Sequence, residues 1–129
     1  MAASGILSLF IVEDDAHFRE TFIDAMSLRG VAVKSAGSGL EGLAALREQV
    51  PHVIVLDVQL PDMHGFDLCR RIRRIDALRK VPIVFVSASA QYSDPRDRVD
   101  GILAGASAFL PKPITPDKLL SEIESLLPK

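Results

Sequence analysis

The chain has 129 residues, a length that predicts one domain over residues 1–129 and excludes a repeat array or a multidomain enzyme. Its 15 basic and 17 acidic residues give a net charge of −2, which argues against a general nucleic-acid binder. The single cysteine, Cys69, excludes an internal disulfide framework and a cysteine-rich zinc site, and it favours a reducing compartment such as the cytoplasm. No apolar stretch is long enough to span a bilayer, so no membrane association is expected.

Five short apolar runs are candidate strands, and they lie at residues 6–12, 31–36, 52–56, 82–86 and 107–110. The stretches between them repeat apolar residues at helical spacing, as in Phe18, Phe22 and Met26. The chain therefore predicts five strands, each followed by a helix.

Local signals mark the ends of these helices. Ser38 with Glu41 forms a predicted capping box, and Thr115 is a predicted N-cap followed by proline. Gly30 and Gly105 stand where helices are expected to stop. These signals place the helix boundaries between the apolar runs.

Strict alternation of strands and helices predicts an α/β fold with a parallel sheet, helices on both faces and right-handed crossovers. The first, third and fourth runs are continuously apolar and therefore central, whereas Lys34 and the short fifth run favour the two edges. The predicted strand order is 2-1-3-4-5, the flavodoxin-like, doubly wound arrangement. Its ligands bind at the carboxyl ends of the strands, beside the first and third.

Polar side chains follow four of the five predicted strands. The first ends in Glu13, Asp14 and Asp15, the third in Asp57, the fourth in Ser87 and the fifth in Lys112. Each has an ordinary alternative role, such as an acid at a helix N-terminus or a solvated lysine. Since all of them reach one edge of the sheet from positions almost 100 residues apart, a shared site is the better interpretation.

Clustered carboxylates repel one another, so a lysine or a divalent cation must compensate them. An all-oxygen site without dedicated histidine or cysteine ligands suits Mg²⁺, which shares its coordination shell readily with a phosphate. A metal, an ammonium and a hydroxyl are also what a transferring phosphoryl group requires. A remaining aspartate is then a candidate nucleophile.

Several segments together resemble one known family, the receiver domain of two-component response regulators. They are residues 10–15 (FIVEDD), 53–57 (VIVLD), 60–65 (LPDMHG), 82–88 (PIVFVSA), 105–106 (GA) and 109–113 (FLPKP). The resemblance runs almost from end to end and is specific as a combination. It implies a phosphorylatable receiver that controls a downstream protein target or a tethered output domain.

The resemblance implies that Asp57 accepts the phosphoryl group from a phosphohistidine on a histidine kinase or a histidine phosphotransfer protein. Asp14 would bind Mg²⁺ directly, Glu13 would act mainly through a metal-bound water, and the backbone carbonyl of Gln59 would complete the protein ligands. Asp15 is then peripheral. Such a domain catalyses its own phosphorylation and dephosphorylation, and we do not expect it to be an enzyme acting on a separate substrate.

The resemblance also assigns the groups around the phosphate. Ser87 and Lys112 would each hold a phosphoryl oxygen, and the peptide bond after Lys112 would be cis. Ser87 and Phe109 would form the switch that reshapes the face made by the fourth helix, fifth strand and fifth helix. Gln59 and Ser89 correspond to the two variable positions that tune phosphate lifetime. The oligomeric state, including a homodimer through that face, stays open.

The sequence departs from the commonest family pattern in four ways. Glu13 replaces an aspartate, Ser87 replaces a threonine, and Phe109 lacks the hydroxyl of a tyrosine. The stretch 87–112 is longer than expected, with the extra residues around 91–95. That loop either reshapes partner binding or is an inert surface insertion.

Two other functions are weighed against phosphorylation. A degenerate receiver would bind proteins without being phosphorylated, although all five chemical residues are present. A small phosphatase of the haloacid-dehalogenase type also forms an aspartyl phosphate. That family needs a second acid two residues after the nucleophile, where this chain has Gln59.

Three further features receive ordinary structural interpretations. Phe18 is expected in the core, and Cys69 is expected to be a small buried hydrophobe. A basic run on the third helix is expected mostly on the solvated face, without direct nucleic-acid binding. It comprises Arg70, Arg71, Arg73, Arg74, Arg79 and Lys80.

Overall fold

The computed structural model describes residues 6–88 and 95–127. Five strands alternate with five helices over these residues. In chain order they are β1 (Ser8–Val12), α1 (Ala16–Ser27), β2 (Ala32–Ala36), α2 (Gly39–Glu48), β3 (Val53–Asp57), α3 (Gly65–Arg73), β4 (Ile83–Ala88), α4 (Pro95–Leu103), β5 (Ala108–Lys112) and α5 (Pro116–Leu126). A short 3₁₀ turn, Asp76–Leu78, precedes β4.

The strands form one parallel sheet in the order β2-β1-β3-β4-β5, which confirms the predicted topology. Alternate residues of the central strands enter two cores, one on each face. Phe10, Ile54 and Phe85 pack beneath α2 and α3. The residues between them in the strands, such as Ile11 and Val55, pack beneath α1 and α5.

The last two strands extend further than the apolar runs indicate. β4 continues to Ala88 and β5 to Lys112, because Ser87 pairs with Pro111 and Ala88 with Lys112. Pro111 is tolerated since β5 is an edge strand and one of its sides needs no amide donor. Ser87 and Lys112, expected just past their strands, are therefore held within the sheet.

The helix ends follow the predicted chemistry. The Ser38 hydroxyl accepts from the Glu41 amide at 3.2 Å and donates to the Glu41 carboxylate at 3.0 Å. The Thr115 hydroxyl accepts from the Lys118 amide at 3.1 Å. Gly30 and Gly105 have φ angles of +75° and +117°, backbone conformations that favour glycine.

Arg73 is an exception to the solvated basic run. Its guanidinium donates to the carbonyls of Gly105, Leu78 and Val81 at 2.6–3.0 Å. Burial lowers the pKa of this guanidinium. Helical spacing does not reveal these acceptors, because they belong to the connections around β4 and β5 rather than to α3. Cys69, one turn earlier, is buried as predicted, and its Sγ lies 3.3 Å from the Ala104 carbonyl.

Within residues 6–88 and 95–127, no helix is both long and apolar enough to cross a membrane. Two sequence predictions, the tuning role of Ser89 and the longer loop at 91–95, fall on residues 89–94, outside the described residues. Pro95 begins α4.

Candidate functional site

Three carboxylates meet at the carboxyl end of the sheet. Glu13 and Asp14 follow β1, and Asp57 is the last residue of the adjacent strand β3. One ligand atom from each residue lies within 4.8 Å of the others. Glu13 is buried at 2% exposure, whereas Asp14 is exposed to solvent. The structure thus places the three predicted acids in one cluster that is open on one side.

Asp15 has a different role from its two neighbours. Its carboxylate accepts from the amides of His17 and Phe18 at 2.9 and 3.2 Å, so it is the N-cap of α1. This N-cap fixes the start of α1 and therefore the direction in which the chain leaves the acidic cluster.

Lys112 supplies the positive charge beside these acids. Its ammonium pairs with Glu13, and its Nζ lies 3.7 Å from Asp57 Oδ2. The Lys112–Pro113 peptide bond is cis, as predicted. The Nζ also lies over the ring of Phe18, 4.6 Å from its centroid.

Glu13 and Asp14 have raised pKa values although Lys112 lies beside the cluster. Burial raises the pKa of Glu13, a hydrogen bond with Asp57 raises it further, and Lys112 opposes the increase. Partial desolvation of its otherwise exposed carboxyl, followed by the interaction with Glu13, also raises the pKa of Asp14. The ionised form of each carboxyl is therefore disfavoured, and a bound cation would offset this effect. Three carboxylate oxygens suit a hard divalent ion such as Mg²⁺.

Ser87 is buried beside this cluster. It lies in β4, one residue beyond Val86, which faces Asp57 across the sheet. The residue is 1% exposed, and its Oγ contacts no donor or acceptor among residues 6–88 and 95–127. A buried hydroxyl without a hydrogen bond costs about 1–3 kcal/mol. This cost is avoided if the Ser87 hydroxyl donates to a group bound at the site.

Phe109 lies in β5, three residues before Lys112, and is half-buried. Its ring centroid is 5.8 Å from that of Phe85 and 6.4 Å from that of Phe66. Gly101 of α4 fits against the same rings. A Cβ at that position would be 3.2 Å from Phe109 and 3.3 Å from Phe66. The ring of Phe109 therefore contacts α4 directly.

The loop after Asp57 carries Gln59 and is tightly closed. Gly65 donates to the Val58 carbonyl at 2.6 Å, and Gln59 bridges to His64. A Cβ on Gly65 would collide with the Asp57 carbonyl. The loop is thus closely packed where it leaves the proposed nucleophile.

Asp62 fastens this loop to α2. Its two carboxylate oxygens accept from the amides of Gly39 and Leu40 at 2.8 and 2.9 Å. These backbone hydrogen bonds lower the pKa of Asp62. The Met63 side chain packs on Gly39, where a Cβ would be 2.6 Å from its sulfur.

Sequence reasoning missed the contribution of three residues to this site. Phe18, expected only in the core, faces Lys112. Arg19 donates to the Glu13 carbonyl at 2.6 Å, and Asp62 caps α2. Phe18 and Arg19 occupy the first turn of α1 directly after the acids, a position at the site edge that was an available signal.

Comparisons with known proteins identify the family of the chain. A family model described as the response regulator receiver domain matches residues 9–124. The transcriptional regulatory protein GltR of Pseudomonas aeruginosa is 41% identical over 127 residues, which cover 98% of this chain and 51% of GltR. The transcriptional regulatory protein AfsQ1 of Streptomyces coelicolor is 41% identical over 120 residues, covering 93% and 51%. The chain spans about half the length of these curated relatives.

Solved structures show the same architecture. The chemotaxis response regulator CheY4 of Vibrio cholerae superposes with a TM-score of 0.88 at 26% identity, covering 95% of this chain and all of that one. A CheY-like receiver domain protein from Methanospirillum hungatei gives 0.85 at 27% identity, covering 95% and 94%. On the family match and the identity to its relatives, the chain belongs to the receiver domains of two-component response regulators.

Proposed function

We propose that the chain receives a phosphoryl group on Asp57, with Mg²⁺, from a phosphohistidine of a histidine kinase or a histidine phosphotransfer protein. The observation that carries this proposal is the arrangement around Asp57. Three carboxylates lie within 4.8 Å of one another next to the Lys112 ammonium. Membership of the receiver family supports the same chemistry.

The residues present fit the metal. The carboxylates of Glu13, Asp14 and Asp57, with the backbone carbonyl of Gln59, would hold Mg²⁺ through oxygen ligands, Glu13 mainly through water. Desolvation, followed by the interactions between the carboxyls, raises the pKa values of Glu13 and Asp14, and a bound cation would offset both effects. When bound, the ion neutralises charge on the phosphoryl oxygens during transfer.

Asp57 is the nucleophile in the proposed transfer. A carboxylate oxygen forms a bond to phosphorus while the phosphorus–nitrogen bond of phosphohistidine breaks, and the departing nitrogen takes the electron pair. The product is an acyl phosphate on the chain itself. The domain is accordingly a self-phosphorylating acceptor rather than an enzyme with a separate substrate.

Two side chains hold the transferred group. Lys112 lies 3.7 Å from Asp57 and donates to one phosphoryl oxygen as a charged hydrogen-bond donor. Ser87 donates its unpaired hydroxyl to another, which satisfies the buried Oγ. Gln59 and Ser89 stand at the positions proposed to tune the lifetime of the phosphate.

Phosphorylation is proposed to alter the face made by α4, β5 and α5. Movement of Ser87 towards the phosphoryl group frees space for Phe109, and the contact between Phe109 and Gly101 transmits the change to α4. Moving a two-state equilibrium from 1:99 to 99:1 takes about 5.5 kcal/mol, and two charge-assisted hydrogen bonds supply a large share of it.

The output of this switch is a partner protein or a tethered domain in the cytoplasm. Two of the relatives are named as transcriptional regulatory proteins and are about twice as long as this chain. A tethered output domain is the arrangement that this difference in length supports. Nucleic-acid contact then belongs to the output rather than to the receiver.

The proposal is tested by intact-mass measurement of the chain with acetyl phosphate, with and without Mg²⁺. We expect one base-labile phosphoryl adduct that needs Mg²⁺ and is absent in Asp57→Asn. Asp67→Asn is the matched control, because Asp67 is an exposed acid paired with Arg70 on α3. A folded parent that gives no adduct would show instead a receiver that acts only through protein binding.

A further inference from the structure

The Lys112 ammonium has an aromatic neighbour as well as acidic ones. Glu13 and Asp57 flank it, and the ring of Phe18 lies beneath its Nζ at 4.6 Å from the centroid. The Lys112 side chain is 24% exposed. A largely desolvated ammonium over a ring face at this distance is a cation–π contact.

Contacts within α1 hold the Phe18 ring independently of Lys112. The backbone amide of Phe18 donates to the side chain of the N-cap Asp15, and this hydrogen bond sets the first turn of α1. The ring stacks on Phe22, with centroids 4.3 Å apart and planes inclined by 21°. Phe22 is itself buried in the core beneath α1. One face of Phe18 is thus supported by the core side of α1.

The Phe18 ring is a neutral neighbour of the Lys112 ammonium, whereas the two carboxylates are charged. Glu13 and Asp57 are also the groups proposed to engage the metal and the phosphoryl group, so their attraction for the ammonium changes during the reaction. Phe18 carries no charge and ligates no metal, and its attraction for the ammonium is constant. A neutral partner also adds nothing to the repulsion among the acids.

We infer that Phe18 is a positioning residue for Lys112, holding the ammonium beside Asp57 through its ring face. The inference rests on the proposed phosphorylation of Asp57 and specifies how its lysine is kept in place. Phe18 contacts none of the reacting atoms and acts only through Lys112.

Fluorinated phenylalanines test this role without changing the shape of the side chain appreciably. Mono-, di- and trifluorophenylalanine at position 18 withdraw electron density from the ring face and weaken a cation–π contact progressively. The same three residues at position 22 are the matched control, because they alter the same ring stack four residues further along α1. Phe18→Leu removes the ring altogether.

Two readouts separate positioning from simple packing. The first is the reductive methylation rate of Lys112 in EDTA, measured by mass spectrometry relative to exposed Lys118. The second is the rate constant for phosphorylation by acetyl phosphate with Mg²⁺. We expect the trifluoro variant at position 18 to raise the first and lower the second by roughly threefold to tenfold, in graded steps. The position 22 series leaves both unchanged.

Either of two results would overturn the inference. Methylation of Lys112 that is constant across the position 18 series shows that the ring does not hold the ammonium. Changed methylation with constant phosphorylation shows that holding it does not assist transfer. A parent chain that is never phosphorylated refutes the proposed function and with it the role in transfer, while the methylation series still decides whether Phe18 holds Lys112.

Discussion

Lys112 and Glu13 form an ion pair across 99 positions of sequence, joining the edge strand β5 to the turn after β1. The Glu13 side chain is only 3% exposed, so its charge depends on this partner. Removing one member of a buried pair is costly because the other charge remains without compensation.

Lys112→Met is therefore expected to lower the free energy of unfolding of the metal-free chain by about 2–3 kcal/mol. Methionine keeps most of the side-chain volume, so the loss reports the charge. Urea denaturation in EDTA at neutral pH measures it. The double variant Lys112→Met/Glu13→Gln should recover much of this stability, and failure to recover it would show that the pair is not the source.

The Asp62 carboxylate is expected to make a pH-dependent contribution to the free energy of unfolding. Hydrogen bonds from the Leu40 and Gly39 amides hold the pKa of its carboxyl below the usual value of 3.8. A lowered folded-state pKa means that the contribution is fully present above the unfolded value and is lost as the pH falls through the folded value. Asp62→Ala should cost about 1 kcal/mol near neutrality, as for an N-cap.

The difference between the parent and Asp62→Ala should shrink as the pH falls below 3.8, as followed by urea denaturation at a series of pH values. Asp67→Ala is the control, since its carboxylate pairs with Arg70 on the surface. A difference for Asp62→Ala that stays constant down to the acid transition would contradict the capping role.

Cys69 is expected to be chemically inert in the folded chain. Burial raises the pKa of its thiol to about 11, and the residue is 0% exposed. Only the thiolate reacts with iodoacetamide. Alkylation at pH 8 should be undetectable in the native chain and rapid in urea, as intact mass would show. Fast alkylation of Cys69 in the native chain would contradict this expectation. It would show that α3 readily separates from the end of α4 and exposes the thiol.

Gly105→Ala is expected to lower the free energy of unfolding more than the same substitution at Gly30, the other described glycine with positive φ. The φ of Gly105 is +117°, and a Cβ would be 2.8 Å from Cγ of Arg73. Gly30 has a φ of +75° with nothing within 4 Å of a Cβ, so Gly30→Ala isolates backbone strain. Gly30→Ala should cost about 1 kcal/mol and Gly105→Ala about 2–3 kcal/mol in urea denaturation. Equal losses would show that the collision with Arg73 is unimportant.

The fold was predictable because the amino-acid composition of the central strands indicates that both of their faces are buried. Runs such as residues 53–56 are apolar at every position, which marks a strand covered on both faces. The acids and the lysine were predictable for a related reason, since parallel strands bring their carboxyl ends to one edge. What the runs could not show is where pairing ends, so β5 reaches Lys112 through Pro111, beyond the apolar run.

Contacts that depend on relative placement of elements were not predictable from periodicity. Helical spacing assigned Phe18 to the core, whereas its other face meets Lys112 of β5. The same spacing assigned Arg73 to a solvated run, although its long side chain reaches three carbonyls in two connections, α3–β4 and α4–β5. Sequence likewise could not show that the buried Ser87 hydroxyl has no hydrogen-bond partner in the part of the chain that the structure describes.

The contacts of α3 with the end of α4 have a mechanical consequence. Cys69 and Arg73 bind the carbonyls of Ala104 and Gly105, which fastens α4 at its carboxyl end. A helix of nine residues is about 13 Å long. If α4 tilts about this fixed end, Pro95 moves furthest, because it lies at the opposite end of the helix. In the proposed switch, a displacement of the Phe109 ring against Gly101 would therefore move the first turn of α4 further than its last.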